Sequence, residues 1–224
     1  MQNEHFVNLT KLDWTDHNLS ILKFCKEEAY NAVLAHTADY PATPHLPVVK
    51  GVLRWDRLDY FLDVAAKNNL FEGITSCWVD FQGTPILELR GKYTSLTACH
   101  VLSRDGKPRE SAYGYRKNNR AKNEKNQELF KEIEASVSDD ELLHIILLHG
   151  GSGRNDNFAY LRIYLEDSDI PALSENIMLM ESPEMTPETE SVPTPMPTLK
   201  EAIAKPEILS ELPADKDKNV HSQS

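Results

Sequence analysis

The chain has 224 residues and a formal net charge of −11, enough length for one domain with a real core plus a tail, and a charge that would exclude a general nucleic-acid binder if spread evenly. No apolar run approaches the length needed to span a bilayer, and the start MQNEHFVNLTKLDW lacks a basic segment followed by an apolar one, so the expectation is a cytoplasmic protein with no membrane contact. The three cysteines, Cys25, Cys77 and Cys99, sit in apolar runs without CxxC spacing, which points to buried free thiols rather than a disulfide framework or a structural zinc site.

In chain order, Asp13 to Ala35 reads as the first helix. Thr15 or Asp16 is its N-cap, Leu22, Cys25, Ala29 and Val33 form the periodic apolar set, and Lys23, Lys26, Glu27 and Asn31 lie on the opposite face. The segment YPATPHLP at 40–47 forbids regular structure because its prolines remove donors and bias their predecessors toward extended geometry. Val48 to Arg54 reads as a short strand, and Asp56 caps a second helix with Leu58, Phe61, Leu62 and Ala65 at helical spacing, ending near Asn68 and Asn69. Ile74–Phe81 and Ile86–Arg90 form a hairpin around Gln82-Gly83-Thr84-Pro85, with Thr75, Cys77, Val79 and Phe81 on one face; Tyr93–Leu102 adds a third strand.

The stretch from Arg90 to Lys125 carries ten cations against three anions, a local +7 that leaves −18 for the remainder of a chain whose total is −11. Such segregation permits a positive surface on an acidic protein. Within it, the Asp-Gly pair of SRDGKP turns the chain so that Glu110 to Tyr115 can return as a fourth strand, and Asn118 to Ala135 reads as an amphipathic helix with a basic, polar first half.

Leu142–Leu148 is apolar on both alternate sets, as in a strand covered on two faces. Phe158–Leu165 alternates, placing Ala159, Leu161, Ile163 and Leu165 on one side and Phe158, Tyr160, Arg162 and Tyr164 on the other; the two runs read as a hairpin. Ile170–Met180 is a last short element. From Glu181 the sequence is rich in Pro, Thr and Glu and reads as a disordered tail in which Leu199–Leu212 can fold on a partner.

Several chemical readings compete. The loop His149-Gly150-Gly151-Ser152-Gly153 resembles the HGG loop of the α/β-hydrolases, yet no GxSxG follows it and few ordered residues remain to supply a triad. The loop also lacks the GK[ST] ending of a P-loop, so a hairpin connection is the expectation. Asp80 and Glu88, with Arg90 or Lys92, invite comparison with metal-dependent nucleases. A two-residue turn at Gly83-Thr84 would set Asp80 opposite Leu87 and turn Glu88 to the other face. His144 and His149 differ by five positions, which also separates them onto opposite faces of a strand.

What remains is an aromatic and basic combination: Tyr113, Tyr115, Arg116, Lys117, Arg120 and Lys122, joined by Tyr160 and Arg162 of the hairpin. Rings that stack on unpaired bases and cations that meet phosphates are the ordinary means of single-strand recognition.

The sequence therefore predicts one α+β domain at 1–180, with an antiparallel sheet of about five to six strands packed by two or three helices, and a disordered acidic tail at 181–224. Its expected function is non-catalytic binding, with single-stranded nucleic acid as the leading ligand, no cofactor, no metal and no catalytic residue. The tail modulates that binding or recruits a protein partner. The competing expectations are a metal-dependent nuclease using Asp80 and Glu88, and a protein–protein module that meets an acidic partner.

Overall fold

Among the described residues, the apolar runs become six strands of one sheet and four α-helices. The computed structural model describes residues 4–81, 83–106, 108, 115–126, 141–151, 157–166 and 168–181. In chain order these are α1 (Glu4–Asp13), α2 (Asp16–His36), α3 (Leu46–Lys67), β1 (Thr75–Phe81), β2 (Thr84–Arg90), β3 (Thr94–Val101), α4 (Tyr115–Asn126), β4 (Leu143–Gly150), β5 (Phe158–Ile163) and β6 (Leu173–Asn176), closed by a 3-10 turn at Ile177–Leu179. The tail beyond Glu181 lies outside the described residues, as do the proposed fourth strand at 110–114 and the second half of the helix expected to run to Ala135.

The strands lie side by side in sequence order. The class is the expected α+β, but the sheet is mixed: β3 and β4 run parallel, from Thr94↔Leu143 to Val101↔Gly150, while the other neighbours are antiparallel. A parallel pair needs a crossover connection, and the chain between Val101 and Leu143, which contains α4, supplies it. Tyr115, expected to end a strand, instead opens that helix.

The period-2 pattern divides the core in two. Leu89, Leu96, Leu143, Ile145, Leu147, Ala159, Leu161 and Ile163 face α1, α2 and α3, joined by Phe6, Leu9, Leu22, Leu58 and Leu62. Cys99, Val101, Ile146, Leu148, Phe158 and Tyr164 form a smaller cluster on the other face, where α4 packs against β4. Every residue of β4 is buried, as its continuous apolar run requires. Gly150, at its end, is a close-approach position: a Cβ there would enter the Val101 carbonyl and the Phe158 ring.

Two helices depart from expectation. Val48–Arg54 is the start of α3 rather than a strand; Pro47 occupies the first helical turn, where its missing N–H costs nothing. Val48, Val49 and Val52 look strand-like in type but point to solvent, while Gly51, Arg54, Leu58 and Leu62 form the buried stripe. Helix α1 had no expectation behind it, since Phe6 and Leu9 share their buried face with Thr10 and Asp13. The cap of α2 is as expected, Thr15 Oγ1 accepting from Asn18 N at 3.3 Å. Lys26, assigned to the outer face, is instead buried with Leu22, Cys25, Ala29 and Tyr30. Burial pushes the Cys25 thiol up to about 12, so it is an inert part of the core. No helix among the described residues is long and apolar enough to cross a membrane.

Asp63 ties α3 to β1. Its carboxylate accepts from Lys67 Nζ at 2.6 Å, Ser76 Oγ at 2.7 Å and Trp78 Nε1 at 3.3 Å. Burial alone would raise its pKa, but the bonds from Lys67, Ser76 and Trp78 outweigh it and hold the group below its usual value of 3.8. A carboxylate depressed in the folded state contributes stability above the unfolded pKa and loses it as pH falls through the folded one. Asp63→Asn should therefore lower the urea midpoint at pH 6 to 7, with the gap from the parent protein closing as pH falls below about 4. Urea melts across that range test this, and a gap that stays constant with pH would remove Asp63 as its source.

Candidate functional site

The α4 face of the sheet gathers polar groups around a cleft of about 400 Å³. Glu88 and Arg90 of β2, Ser95 of β3, and Tyr115, Asn119 and Lys122 of α4 line it, with Val79 and Leu142 as apolar wall. The helix is placed there by Asn123, whose buried amide substitutes for a neighbouring strand. Its Nδ2 donates to the carbonyls of His144 at 2.9 Å and Tyr164 at 3.1 Å, and its Oδ1 accepts from His144 N at 2.7 Å. One turn earlier, Asn119 falls on the same helix face and reaches the cleft.

Within the cleft, the Tyr115 hydroxyl donates to Glu88 Oε2 at 3.0 Å, and Arg90 Nε donates to Glu88 Oε1 at 3.3 Å. Burial raises the Tyr115 phenol, and the Glu88 carboxylate raises it further, so it remains a donor at neutral pH. Beneath it, the His144 ring nitrogens stand 3.0 Å from Ser95 Oγ and 3.2 Å from Thr97 Oγ1. The Asn119 amide sits beside the Tyr115 hydroxyl, yet among the described residues its Nδ2 completes no bond of hydrogen-bonding geometry.

The expected binding residues divide sharply in this setting. Tyr115 is buried, edge-on to Phe81 and His144 with ring centroids 5.5 and 5.9 Å away, so it is a wall of the cleft rather than a stacking platform. Arg120 lays its guanidinium 4.8 Å from the centroid of buried Tyr164. Arg162 lies 5.0 Å from the Tyr160 centroid and donates to Ser174 Oγ, Tyr164 Oη and the Arg104 carbonyl. The stacking capacity of Tyr160, Arg120 and Arg162 is thus engaged inside the protein. Lys117 and Lys122 are exposed on α4, joined by Lys125 and opposed by Glu124. Arg116 belongs to the first turn of α4, its side chain outside the described residues, and Tyr113 lies outside them altogether.

The nuclease pair is separated. In the β1–β2 ladder, Asp80 pairs with Pro85 and Glu88 with Cys77, so the two carboxylates project from opposite faces and cannot hold one metal ion. The turn falls one residue earlier than expected, between Phe81 and Thr84, with Gly83 at φ +78. Asp80 closes it by accepting from Gly83 N at 2.9 Å. His144 and His149 also occupy opposite faces: the first meets Ser95 and Thr97, the second Tyr30 of α2.

The residues missed from sequence are Ser95 and Asn119. Ser95 is hidden by its type, but Asn119 and Asn123 are four apart in a helix that offers few apolar residues to bury, and that spacing is the signal that could have found them. The site therefore defines a mixed-sheet α+β domain with a basic helix set beside a polar cleft. No protein family, curated protein or solved structure matches the chain.

Proposed function

We propose that the protein is a non-catalytic, cytoplasmic binder of single-stranded nucleic acid, with the phosphate backbone along Lys117, Lys122 and Lys125 of α4 and the polar edge of one unpaired base in the cleft. The observation that carries this reading is Asn119: the residue is 8 % exposed, its amide nitrogen lies beside the Tyr115 hydroxyl without completing a bond of good geometry among the described residues, and it lines the cleft together with Lys122 and Glu88. A buried donor left unmade costs about 1 to 3 kcal/mol, which a ligand acceptor returns. Side-chain amides and carboxylates read base edges by donor and acceptor pattern, and only splayed-out bases offer those edges to a cleft. With Tyr115 buried and Tyr160 taken up by Arg162, the site takes affinity from charge and hydrogen bonding more than from stacking. The acidic segment 181–224 would compete with nucleic acid for α4, or recruit a protein through Leu199–Leu212.

Fluorescence anisotropy with labelled oligonucleotides tests the reading on the full-length protein. Single strands should bind more tightly than duplexes, and affinity should fall steeply between roughly 50 and 200 mM salt. Absence of binding to either form at the lower salt would sink it.

A further inference from the structure

On the opposite face of the sheet, two buried cations lie against one tyrosine ring, and neither takes part in a salt bridge found among the described residues. Lys26 of α2 is 0 % exposed, and its ammonium has no hydrogen-bond acceptor among the described residues. It lies 4.3 Å from the Tyr30 ring centroid. Arg54 of α3 is 6 % exposed, with its guanidinium 4.6 Å from the same ring. One guanidinium nitrogen donates to the Gly151 carbonyl, while Nε makes no hydrogen bond among the described residues. The salt bridges found among those residues, Lys67–Asp63 and Arg90–Glu88, involve neither cation.

The surroundings include a tyrosine hydroxyl and two histidine rings. The Tyr30 hydroxyl stands 3.0 Å from His149 Nδ1, and the His149 ring meets the His100 ring edge-on at 5.4 Å. His100 and His149 are paired near the carboxyl ends of the parallel strands β3 and β4, the end at which open sheets with parallel strands place ligands. Burying a cation without a partner is expensive, and cation–π contact with one tyrosine offsets only part of that cost. Burial pushes the Lys26 ammonium down to about 8, with Glu27 acting to raise it and Arg54 to lower it, which leaves it mostly protonated at neutral pH.

We propose that Lys26 and Arg54 hold the phosphate group of a small phosphorylated ligand at the carboxyl ends of β3 and β4, with the Tyr30 hydroxyl and His149 as neighbouring hydrogen-bonding groups. Charge selects the class. A carboxylate would neutralise one of the two cations, whereas a phosphate monoester carries about −1.5 to −2 at neutral pH and matches both. Arg54 and Lys26 supply complementary geometry, a planar fork and a point charge. This site faces away from α4 and does not depend on nucleic-acid binding there.

Thermal melting and isothermal titration of the full-length protein in low-salt buffer, with inorganic phosphate, adenosine 5′-monophosphate and acetate as probes, test the site. Phosphate or its ester should raise the melting temperature by about 5 °C or more at a hundredfold excess over its dissociation constant, and acetate should not. A shift with the ester alone would identify the organic part as a contributor, and a shift with both would identify the phosphate group itself. Lys26→Met and Arg54→Met should each weaken binding by about tenfold or more, while Lys11→Gln, an equal charge change at an exposed position of α1, should leave it intact. The proposal is overturned if neither phosphate probe binds the parent protein at roughly 10 mM, a result that needs no variant to fold, or if binding survives in both methionine variants.

Discussion

Asp13→Ala is expected to destabilise the protein by about 3 to 5 kcal/mol, among the largest effects of any single side chain here. Asp13 ends α1 and is buried. Its Oδ1 accepts from Lys92 N at 3.0 Å, and its Oδ2 from Tyr93 N, Thr94 N and Thr94 Oγ1, each at 2.8 Å. One carboxylate thus satisfies three consecutive main-chain donors where the chain enters β3, and the same Thr94 hydroxyl accepts from Trp14 Nε1 at 2.9 Å. Gly91 leaves the space, since a Cβ there would collide with the Asp13 carboxylate. Alanine would strand the buried Thr94 N–H and hydroxyl together with the part-buried N–H groups of Lys92 and Tyr93, and each buried unmade bond costs about 1 to 3 kcal/mol. Urea unfolding measures the loss, and a change below about 1 kcal/mol would mean that water or a shifted chain replaces the carboxylate.

Asn123→Ala should cost about 2 to 4 kcal/mol and loosen α4 in particular. The buried amide answers the N–H and C=O of His144 and the carbonyl of Tyr164. With few apolar residues on α4 to bury, this amide and the Tyr115 hydroxyl hold the helix to the sheet. Asn123→Asp should be worse than alanine: it keeps the acceptor for His144 N but turns a carboxylate toward two carbonyls. Hydrogen exchange separates local from global effects, since α4 amides should lose protection before those of β4 and β5. Equal loss across the sheet would show that Asn123 supports the whole domain instead.

How much of this was legible from sequence depended on whether residue type and residue position agreed. The β4–β5 hairpin was readable because its patterns match its burial, with Ala159, Leu161 and Ile163 inside and Tyr160 and Arg162 half-exposed. Glu88 and Asp80 fell on opposite faces as alternation required, even though the turn sits one residue from where it was expected. Where type misled, the reading failed. Val48, Val49 and Val52 suggested a strand but decorate the solvent side of a helix. A lysine as a residue type suggests the surface, but the four-residue spacing of Lys26 from Leu22 and Tyr30 puts it on the core stripe. The parallel pairing of β3 and β4 left no local trace, since strand direction is decided by a crossover between distant segments. The polar cleft is half legible: Tyr115 and Lys122 belong to the basic-aromatic pattern and Glu88 to the carboxylate pair, and only the register of β2 and the seating of α4 bring them together.

Whether the exposed cations of α4 meet a phosphate backbone is decided by the salt dependence of single-strand binding in Lys117→Gln/Lys122→Gln beside the parent protein. Each lost phosphate contact should reduce the slope of log affinity against log salt by about 0.7, so the double variant should bind more weakly with a slope shallower by about 1.4. Parallel lines of equal affinity would take the nucleic-acid interface off α4.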